Sequence, residues 1–419
     1  GFDRATNAMR QPGSTFKVLA AFLPYIDTEG SLASGFDDKP YNFVNGTPVR
    51  NWYGSYWGPS SLRKAIAQSM NIIAVQTITA VTPAVAYEYL LKEGFTTIVD
   101  KKIGADGDVY SDIQQATALG GLTYGVTNLE ITAAYAGIAN MGQYVKPVFY
   151  DRVYDHDGNL IIDNRDPSER SHKMCEKTTA YELIDAMKDV VTSGTGTRAK
   201  MTTGIKCAGK TGTTSNSYDL WFCGMTPYYT ASVWFGYDSN VTVNTNEHKT
   251  MWRDVMDKIA VLEDQSTEAD WTQPEGLVKA SVCNITGLAP VGGCPTSTDW
   301  CAEDHVPKKR CTGHLNSILI CPESHYKATN TCPNPVEYTV SYNSNGEREL
   351  VGANFEYDKS IFTTTCPIHL QNDDGIAITS WADTGGVISE SVTNIESGSD
   401  VTFYITPSAG YGISDVTVD

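Results

Sequence analysis

Three short strings carry reactive side chains in a fixed order: S-T-F-K at Ser14 to Lys17, S-M-N at Ser69 to Asn71 and K-T-G-T at Lys210 to Thr213. A serine hydroxyl is a weak nucleophile until a neighbouring base takes its proton. Lys17 follows Ser14 by three residues, on the same face of the helix that the apolar stretch Phe16 to Leu23 predicts, so a neutral Lys17 amine can be that base. Burial and a second cation both favour the neutral form, and Lys210 is the candidate cation. The two lysines then have separate tasks, Lys17 as base and Lys210 as a charged anchor for a substrate carboxylate. The backbone N–H of Ser14, at a helix start behind Pro12-Gly13, faces a developing oxyanion.

Each string alone is common. S-x-x-K recurs at Ser61 to Lys64 and at Ser324 to Lys327, and S-x-N recurs at Ser341 to Asn343, whereas K-T-G occurs once. Starting from Ser61 leaves Ser69 only eight residues downstream, with no room for an intervening helix pair, and Ser324 follows the K-T-G. Order and spacing leave the set Ser14, Ser69, Lys210.

Longer segments surround these strings: R-Q-P-G-S-T-F-K at Arg10 to Lys17, S-L-R-K-A-I-A-Q-S-M-N at Ser61 to Asn71, A-L-G-G at Ala118 to Gly121 and A-Y-A-G-I-A-N-M-G at Ala134 to Gly142. G-T-G follows at Gly194 to Gly196, then A-G-K-T-G-T-T at Ala208 to Thr214, D-L-W-F-C-G at Asp219 to Gly224 and V-W-F-G-Y-D at Val233 to Asp238. With them the chain resembles, over about residues 1 to 320, the transpeptidase domain of penicillin-binding proteins of the bifunctional class A type. The resemblance implies an α/β chain with the serine β-lactamase/DD-peptidase-like fold, an antiparallel sheet flanked by helices. It also implies an acyl-enzyme on Ser14, formed from a D-Ala-D-Ala stem peptide of peptidoglycan and resolved by a neighbouring amine. Ser69 would relay the proton to the leaving amine and Asn71 would hold the substrate amide. Lys210, Thr211 and Thr213 would bind the carboxylate, Gly212 would let the substrate backbone lie close, and Thr213 would add the second oxyanion N–H. β-Lactams should acylate the same serine, and no cofactor is implied.

Gly204 to Thr211, G-I-K-C-A-G-K-T, matches the phosphate-loop pattern G-x-x-x-x-G-K-[ST] in full. That loop needs an apolar strand before it and a helix after it. Ala199 to Thr203 is polar, and Thr213 to Tyr218 reads as a turn into another strand, which argues against nucleotide binding.

Helices are expected at Leu62 to Gln68 and Ile72 to Val81, meeting at the S-M-N loop, and at Ala84 to Lys92, Leu129 to Asn140 and Thr179 to Thr192. Tyr144 to Tyr154 and Leu160 to Asp163 read as a hairpin, and Cys207 to Thr213, Leu220 to Gly224 and Thr230 to Tyr237 as successive antiparallel strands. Glu247 to Leu262 reads as an amphipathic helix with Met251, Val255, Ile259 and Leu262 against the sheet. The aromatic segment Tyr41 to Trp57 reads as a loop stapled by buried rings, the alternative being a cleft wall beside Ser69. His156 in the hairpin turn and His248 at a helix start offer no Ser-His-Asp arrangement.

At 419 residues with a formal charge of -18, the chain is unsuited to nucleic acid or anionic lipid and suited to a neutral or cationic partner. The most apolar run, Val18 to Leu23, is cut at Pro24 and is too short to span a bilayer. By the resemblance the chain is a fragment cut at its front, attached to a membrane only through an anchor upstream of Gly1, and transglycosylation is not assigned to it. Strands that precede the nucleophile in the family would then be missing beside Cys207 to Thr213, leaving an exposed sheet edge and putting isolated activity in doubt.

Three divisions are expected: 1–265 catalytic, 266–372 rich in cysteine, and 373–419 a small β-module resembling a surface-protein repeat. Seven of the ten cysteines fall from Cys283 onward, where disulfides can replace a core outside the membrane, with one thiol left over. Zinc is the alternative, from C-T-G-H at Cys311 to His314 and C-P-E-S-H at Cys321 to His325, although no C-x-x-C pair supports it. Three functions compete: a transpeptidase, a serine β-lactamase or D,D-carboxypeptidase, and a non-catalytic sensor or wall-binding module. No Glu motif for a deacylating base occurs between Asn71 and Lys210, which favours the first.

Overall fold

The nucleophile segment is one continuous helical run with changing hydrogen bonding: a 3-10 turn at Gly13–Thr15, a wide π turn at Val18–Phe22 and an α-helix at Leu23–Thr28. It passes through Pro24 without the expected interruption. The π turn carries the Leu23 N–H to the Val18 carbonyl, and Pro24 falls in the first α turn, where its missing N–H costs nothing. Phe16, Leu19, Phe22 and Leu23 are fully buried, each stabilising the fold by roughly 1.5–3 kcal/mol. The computed structural model describes residues 1–105, 107–291, 294–311, 317–342, 348–369, 376–378, 386–388, 392–395 and 402–408.

Around that run pack α1 (Leu62–Gln68), α2 (Asn71–Val81), α3 (Pro83–Lys92), α4 (Asn128–Ala139), α5 (Lys177–Thr192) and α6 (Glu247–Leu262). Their starts follow from caps: Ser61 accepts from Lys64 N at α1, and Thr127 forms a capping box with Glu130 at α4. The decoy serine of S-L-R-K is therefore a helix cap.

The central sheet is antiparallel, with β1 (Ala208–Thr213), β2 (Asp219–Met225) and β3 (Thr230–Gly236) in that order. Side chains of β2 alternate between two cores, Trp221, Cys223 and Met225 facing the main cluster and Phe222 facing a second one with Trp252 and Met256 of α6. β1 is an edge strand among the described residues, but not an exposed one. Five of its six residues are buried, with α5 and the nucleophile turn packed on it.

Two element expectations need correction. Trp252, Met256 and Ala260 form the buried stripe of α6, while Met251, Val255 and Leu262 are exposed. The larger indole, which also donates to Ala231 O at 2.9 Å, decides which of two apolar stripes turns inward. Tyr144 to Tyr154 is not one strand: Gln143–Val145 pairs with Ser171–Lys173, and only Arg152–Tyr154 pairs with Leu160–Asp163. Pro147 lies between them and cannot donate to a ladder.

The chain forms two compact units, one of Gly1–His314 with Tyr342–Glu347, the other of Leu315–Ser341 with Arg348–Asp419. The first therefore continues past residue 265 to include β4 (Leu277–Cys283) and β5 (Thr296–Ala302). Arg63 of α1 fastens this hairpin, reaching Asp299 at 2.5 Å as well as Asp185 at 2.5 Å and Asp189 at 2.9 Å on α5. The second unit contains the sheet β6 (Ser317–Ile320), β7 (Val336–Tyr342) and β8 (Arg348–Leu350), with Ile320, Val340, Leu350 and Ile361 as its core. Of the expected β-module, Ile376–Ile378 pairs with Val392–Ile395 and Gly386–Ile388 with Ile405–Pro407; its last stretch, residues 409–419, lies outside the described residues. Among the described residues no helix is long and apolar enough to cross a membrane.

Candidate active site

Ser14 is held by the backbone on both sides of it. Gln11 and Leu122 exchange two hydrogen bonds (2.8 and 2.9 Å), the Trp221 indole donates to Gln11 O at 2.9 Å, and the Tyr135 hydroxyl donates to Thr15 O at 2.7 Å. Arg10 is ion-paired with the buried Asp219 at 2.7 Å. These contacts bring R-Q-P-G-S-T-F-K, Leu122 just after A-L-G-G, and D-L-W-F together around the nucleophile. Gly13 has φ +54, and a Cβ there would sit 2.6 Å from Thr213 O; a Cβ on Gly212 would meet Pro12 O at 2.6 Å. Gly212 thus makes room for the nucleophile turn, a different role from the substrate contact that the resemblance implied.

Ser69 closes α1 in the left-handed region at φ 55, and Met70 and Asn71 open α2. A serine pays of order 1 kcal/mol or more to stay there, and the turn aims its side chain at the two lysines. Asn71 sits in the first turn of α2 instead of on the expected loop. Asn51 Oδ1 accepts from Asn71 N at 3.0 Å, and the Asn71 amide donates to Arg50 O at 2.7 Å.

The polar centre is compact. Lys17 Nζ donates to Ser69 O at 2.6 Å and to Asn71 Oδ1, and lies 3.1 Å from Ser69 Oγ. Lys210 Nζ donates to Ser69 Oγ at 2.8 Å and to Thr211 O at 3.1 Å. Ser69 Oγ therefore bridges the two lysines. Both are fully buried. Burial, then the neighbouring Lys210 charge, pushes the Lys17 amine well below its ordinary value. Burial chiefly brings Lys210 down to about 7, with Cys223 opposing and Lys249 adding to the shift. Lys17 loses its proton first, so Lys210 titrates beside a neutral neighbour. A neutral Lys17 can donate to the two carbonyl oxygens and keep its lone pair for a hydroxyl proton. The Ser14 hydroxyl makes no hydrogen bond with Lys17 in this structure.

A cleft of about 1080 Å³ opens over Ser14, Ser69 and Asn71, walled by Thr211 and Thr213 of β1. Lys210 does not line it, which corrects the expectation of a direct carboxylate anchor. Lys249 does line it, with its Nζ 3.3 Å from Thr195 O, and Thr195 and Thr211 share a hydrogen bond at 2.7 Å. Trp52 forms another wall and donates to Gln68 O at 2.8 Å, so the cleft-wall reading holds for this ring. Tyr53 and Trp57 stack at 3.8 Å within the loop, but Tyr53 is only partly buried and Trp57 is exposed, so the expected stapling by buried rings is not what holds this segment. No motif marks Lys249, Trp52 or Thr195; only G-T-G hinted at the last. His248 also lines the cleft, but burial and then Lys249 bring it down to about 4, and it makes no hydrogen bond to Ser14. The phosphate-loop reading fails because Lys210 and Thr211 belong to a strand that is followed by a single 3-10 turn at Ser215–Ser217 and then β2, with no α-helix to point at a phosphate.

Comparison with known proteins agrees with this geometry. The family described as "Penicillin binding protein transpeptidase domain" matches residues 2–257, and "Penicillin-binding protein 1A, C-terminal domain" matches 273–316. Penicillin-binding protein 1A/1B of Bacillus subtilis is 30% identical over 413 residues, covering 93% of this chain and 41% of that protein. Penicillin-binding protein 1A of Clostridium tetani is 31% identical over 340 residues, covering 75% and 41%. The chain thus spans 41% of the length of these two relatives. Among solved structures, penicillin-binding protein 1A from Haemophilus influenzae aligns with a TM-score of 0.58 at 23% identity, over 74% of this chain and 50% of that one. PonA1 from Mycobacterium tuberculosis in complex with penicillin V gives 0.56 at 23%, over 66% and 75%. Those two likenesses establish a shared fold. With the family match spanning well over half of its residues, the chain belongs to the penicillin-binding protein transpeptidase family.

Proposed function

We propose that the chain is a peptidoglycan D,D-transpeptidase acting through a serine acyl-enzyme, at the outer face of a bacterial membrane. The observation that carries this reading is the Lys17–Ser69–Lys210 cluster at the base of the cleft that Ser14 lines. Ser14 Oγ gives its proton to the neutral Lys17 amine and bonds to the carbonyl carbon of the penultimate D-alanine. The resulting oxyanion is met by the Ser14 and Thr213 N–H groups. As the C–N bond breaks, the proton passes from Lys17 through Ser69 Oγ to the departing D-alanine amine, and the charged Lys210 stabilises the Ser69 oxygen during transfer. An acceptor amine from a second stem peptide then bonds to the acyl carbon and loses a proton to Lys17, and as the C–O bond breaks that proton passes to the departing Ser14 Oγ, restoring the hydroxyl and the neutral amine. Asn71 holds the substrate amide, while Thr211, Thr213 and Lys249 receive the carboxylate, with Lys210 adding charge from behind. A β-lactam enters the first step as a mimic of the dipeptide.

Slow deacylation by water separates this reading from a β-lactamase. Among the described residues Asp219 is the one carboxylate lining the cleft, and its oxygens are taken by Arg10, Trp234 and Thr214. The test is intact mass after exposure to a penicillin. One stable adduct on the parent and none on Ser14→Ala is expected; an adduct surviving that substitution, or one lost within seconds, refutes it. D-alanine release with an amine acceptor, accompanied by dimer formation, separates transpeptidase from carboxypeptidase, and acylation without any release identifies a sensor.

A further inference from the structure

Six of the seven cysteines beyond residue 265 fall into two copies of one arrangement, which also accounts for their odd number. Ten residues separate Cys283 from Cys294, and ten separate Cys321 from Cys332. Two residues separate Cys311 from His314, and two separate Cys366 from His369; His314 lies outside the described residues. Cys301 belongs to neither copy.

The backbone repeats with the sequence. In each copy a strand (β4 or β6) runs to the first cysteine, and a strand following the second (β5 or β7) pairs with it antiparallel. The first cysteine's carbonyl accepts from the residue four ahead, Gly287 at 2.8 Å or His325 at 2.9 Å, and its N–H donates to the residue five ahead, Leu288 or Tyr326, both at 2.9 Å. The third cysteine's N–H donates to the residue six beyond the first, Cys311 to Ala289 O and Cys366 to Lys327 O, both at 2.8 Å. Donors also aim at sulfur in matching places. Val291 N and Thr329 N reach Cys294 and Cys332 Sγ at 3.3 and 3.2 Å, and the Thr286 and Ser324 hydroxyls reach Cys311 and Cys366 Sγ at 3.2 and 3.1 Å.

In the second copy the ligand atoms converge. The sulfurs of Cys321, Cys332 and Cys366 and a ring nitrogen of His369 all lie within 4.8 Å of one another, and the three cysteines are buried. His369 Nδ1 is 3.4 Å from both Cys321 and Cys366 Sγ, while its Nε2 faces the Glu323 carboxylate at 3.5 Å. Ligands placed ~2.0–2.3 Å from a tetrahedral zinc ion stand about 3.5–4 Å apart, close to this spacing. The outer carboxylate is the usual support for a metal-bound imidazole. A disulfide would use two of the three sulfurs, leave a buried thiol beside it and give the histidine no task. His325, the histidine that C-P-E-S-H suggested, stacks on Phe355 at 4.2 Å and stands outside the cluster.

We infer that Cys321, Cys332, Cys366 and His369 bind a structural Zn²⁺ ion. Four protein ligands close the site, so it holds the fold together and does no chemistry. Binding displaces the thiol protons to solvent and ties β6 and β7 to the Cys366–His369 turn.

The full chain, purified without chelator or added metal, should contain zinc. Cys366→Ser and His369→Ala should each carry one equivalent less than the parent, whereas His369→Cys, which restores four ligands, should keep it. Cobalt exchanged into the site should give the intense visible bands of tetrahedral thiolate coordination, and these should vanish in His369→Ala. Penicillin labelling of Ser14 reports separately that the first unit remains folded. Zinc content unchanged in both Cys366→Ser and His369→Ala overturns the inference. So does a metal-free parent in which peptide mapping finds a disulfide between any two of Cys321, Cys332 and Cys366.

Discussion

Ser69 receives a hydrogen bond from the Lys210 ammonium on one side and touches the amine of Lys17 on the other, so the pair of lysines must differ in charge for the relay to run. In the proposed mechanism Lys17 works as a free amine and Lys210 as a cation. Lys17 is already far below its ordinary value, so it contributes the acidic limb of a rate profile, and Lys210, at about 7, contributes the alkaline one. The rate of acylation by a penicillin should therefore rise with pH as Lys17 deprotonates and fall again as pH passes through about 7. Lys210→Arg, which keeps its charge, should shift the falling limb upward, and Lys210→Ala should lower the rate roughly a hundredfold or more. A parent profile that is flat from about pH 6 to about pH 9 would contradict the division of roles. This centre was legible in the sequence because its residue types are rare in that order: Ser14, Lys17, Ser69, Asn71 and Lys210. Lys249 and Trp52 were not, since a lysine in a helix and a tryptophan in a loop become cleft walls only through tertiary packing.

Elements were read best where local chemistry fixes them. The six main helices follow from apolar periodicity and caps, and the three central strands from turns at both ends. The misses have local causes too: a π turn that absorbs Pro24, Pro147 dividing a strand, and a helix with two apolar stripes from which Trp252 selects one. The close approach of the nucleophile turn to β1 depends on Gly13. Its φ of +54 and the 2.6 Å gap to Thr213 O leave no space for a methyl group. Gly13→Ala should therefore destabilise the chain by about 1–3 kcal/mol and lower acylation by more than the lost stability explains, because the Ser14 and Thr213 N–H groups are pushed apart. Thermal unfolding beside penicillin labelling checks it, and a variant that melts early yet labels at the parental rate would contradict the proposed turn-to-strand geometry.

At the scale of the whole molecule, the composition shift beyond residue 265 was visible, but the compact unit does not end there: Arg63 of α1 reaches Asp299 of β5, the Ser297 hydroxyl donates to Ala33 O, and Tyr181 of α5 packs edge-on against Trp300. Glu182 of α5 lies in the same region, fully buried, its Oε2 accepting from Leu32 N at 3.1 Å. Burial above all raises its carboxyl to about 8, with the Leu32 and Ala302 N–H groups and Arg63 opposing the shift and Asp299 adding to it. Since the folded value exceeds the unfolded one, the protonated acid's contribution is complete below the unfolded value near 4.5 and is lost as pH rises through about 8. Glu93, buried with neither oxygen partnered and raised well above its ordinary value by burial alone, acts in the same direction. Stability should thus decline from about pH 5 to about pH 9, by roughly 2–5 kcal/mol for Glu182 alone. Glu182→Gln keeps an acceptor for Leu32 N and cannot ionise, so its denaturation midpoint should fall less steeply over that range, and the two curves should cross as pH rises. Parallel curves would mean that Glu182 is charged inside the fold, and the unit around Arg63 and β5 would then have to hold that charge by contacts other than these.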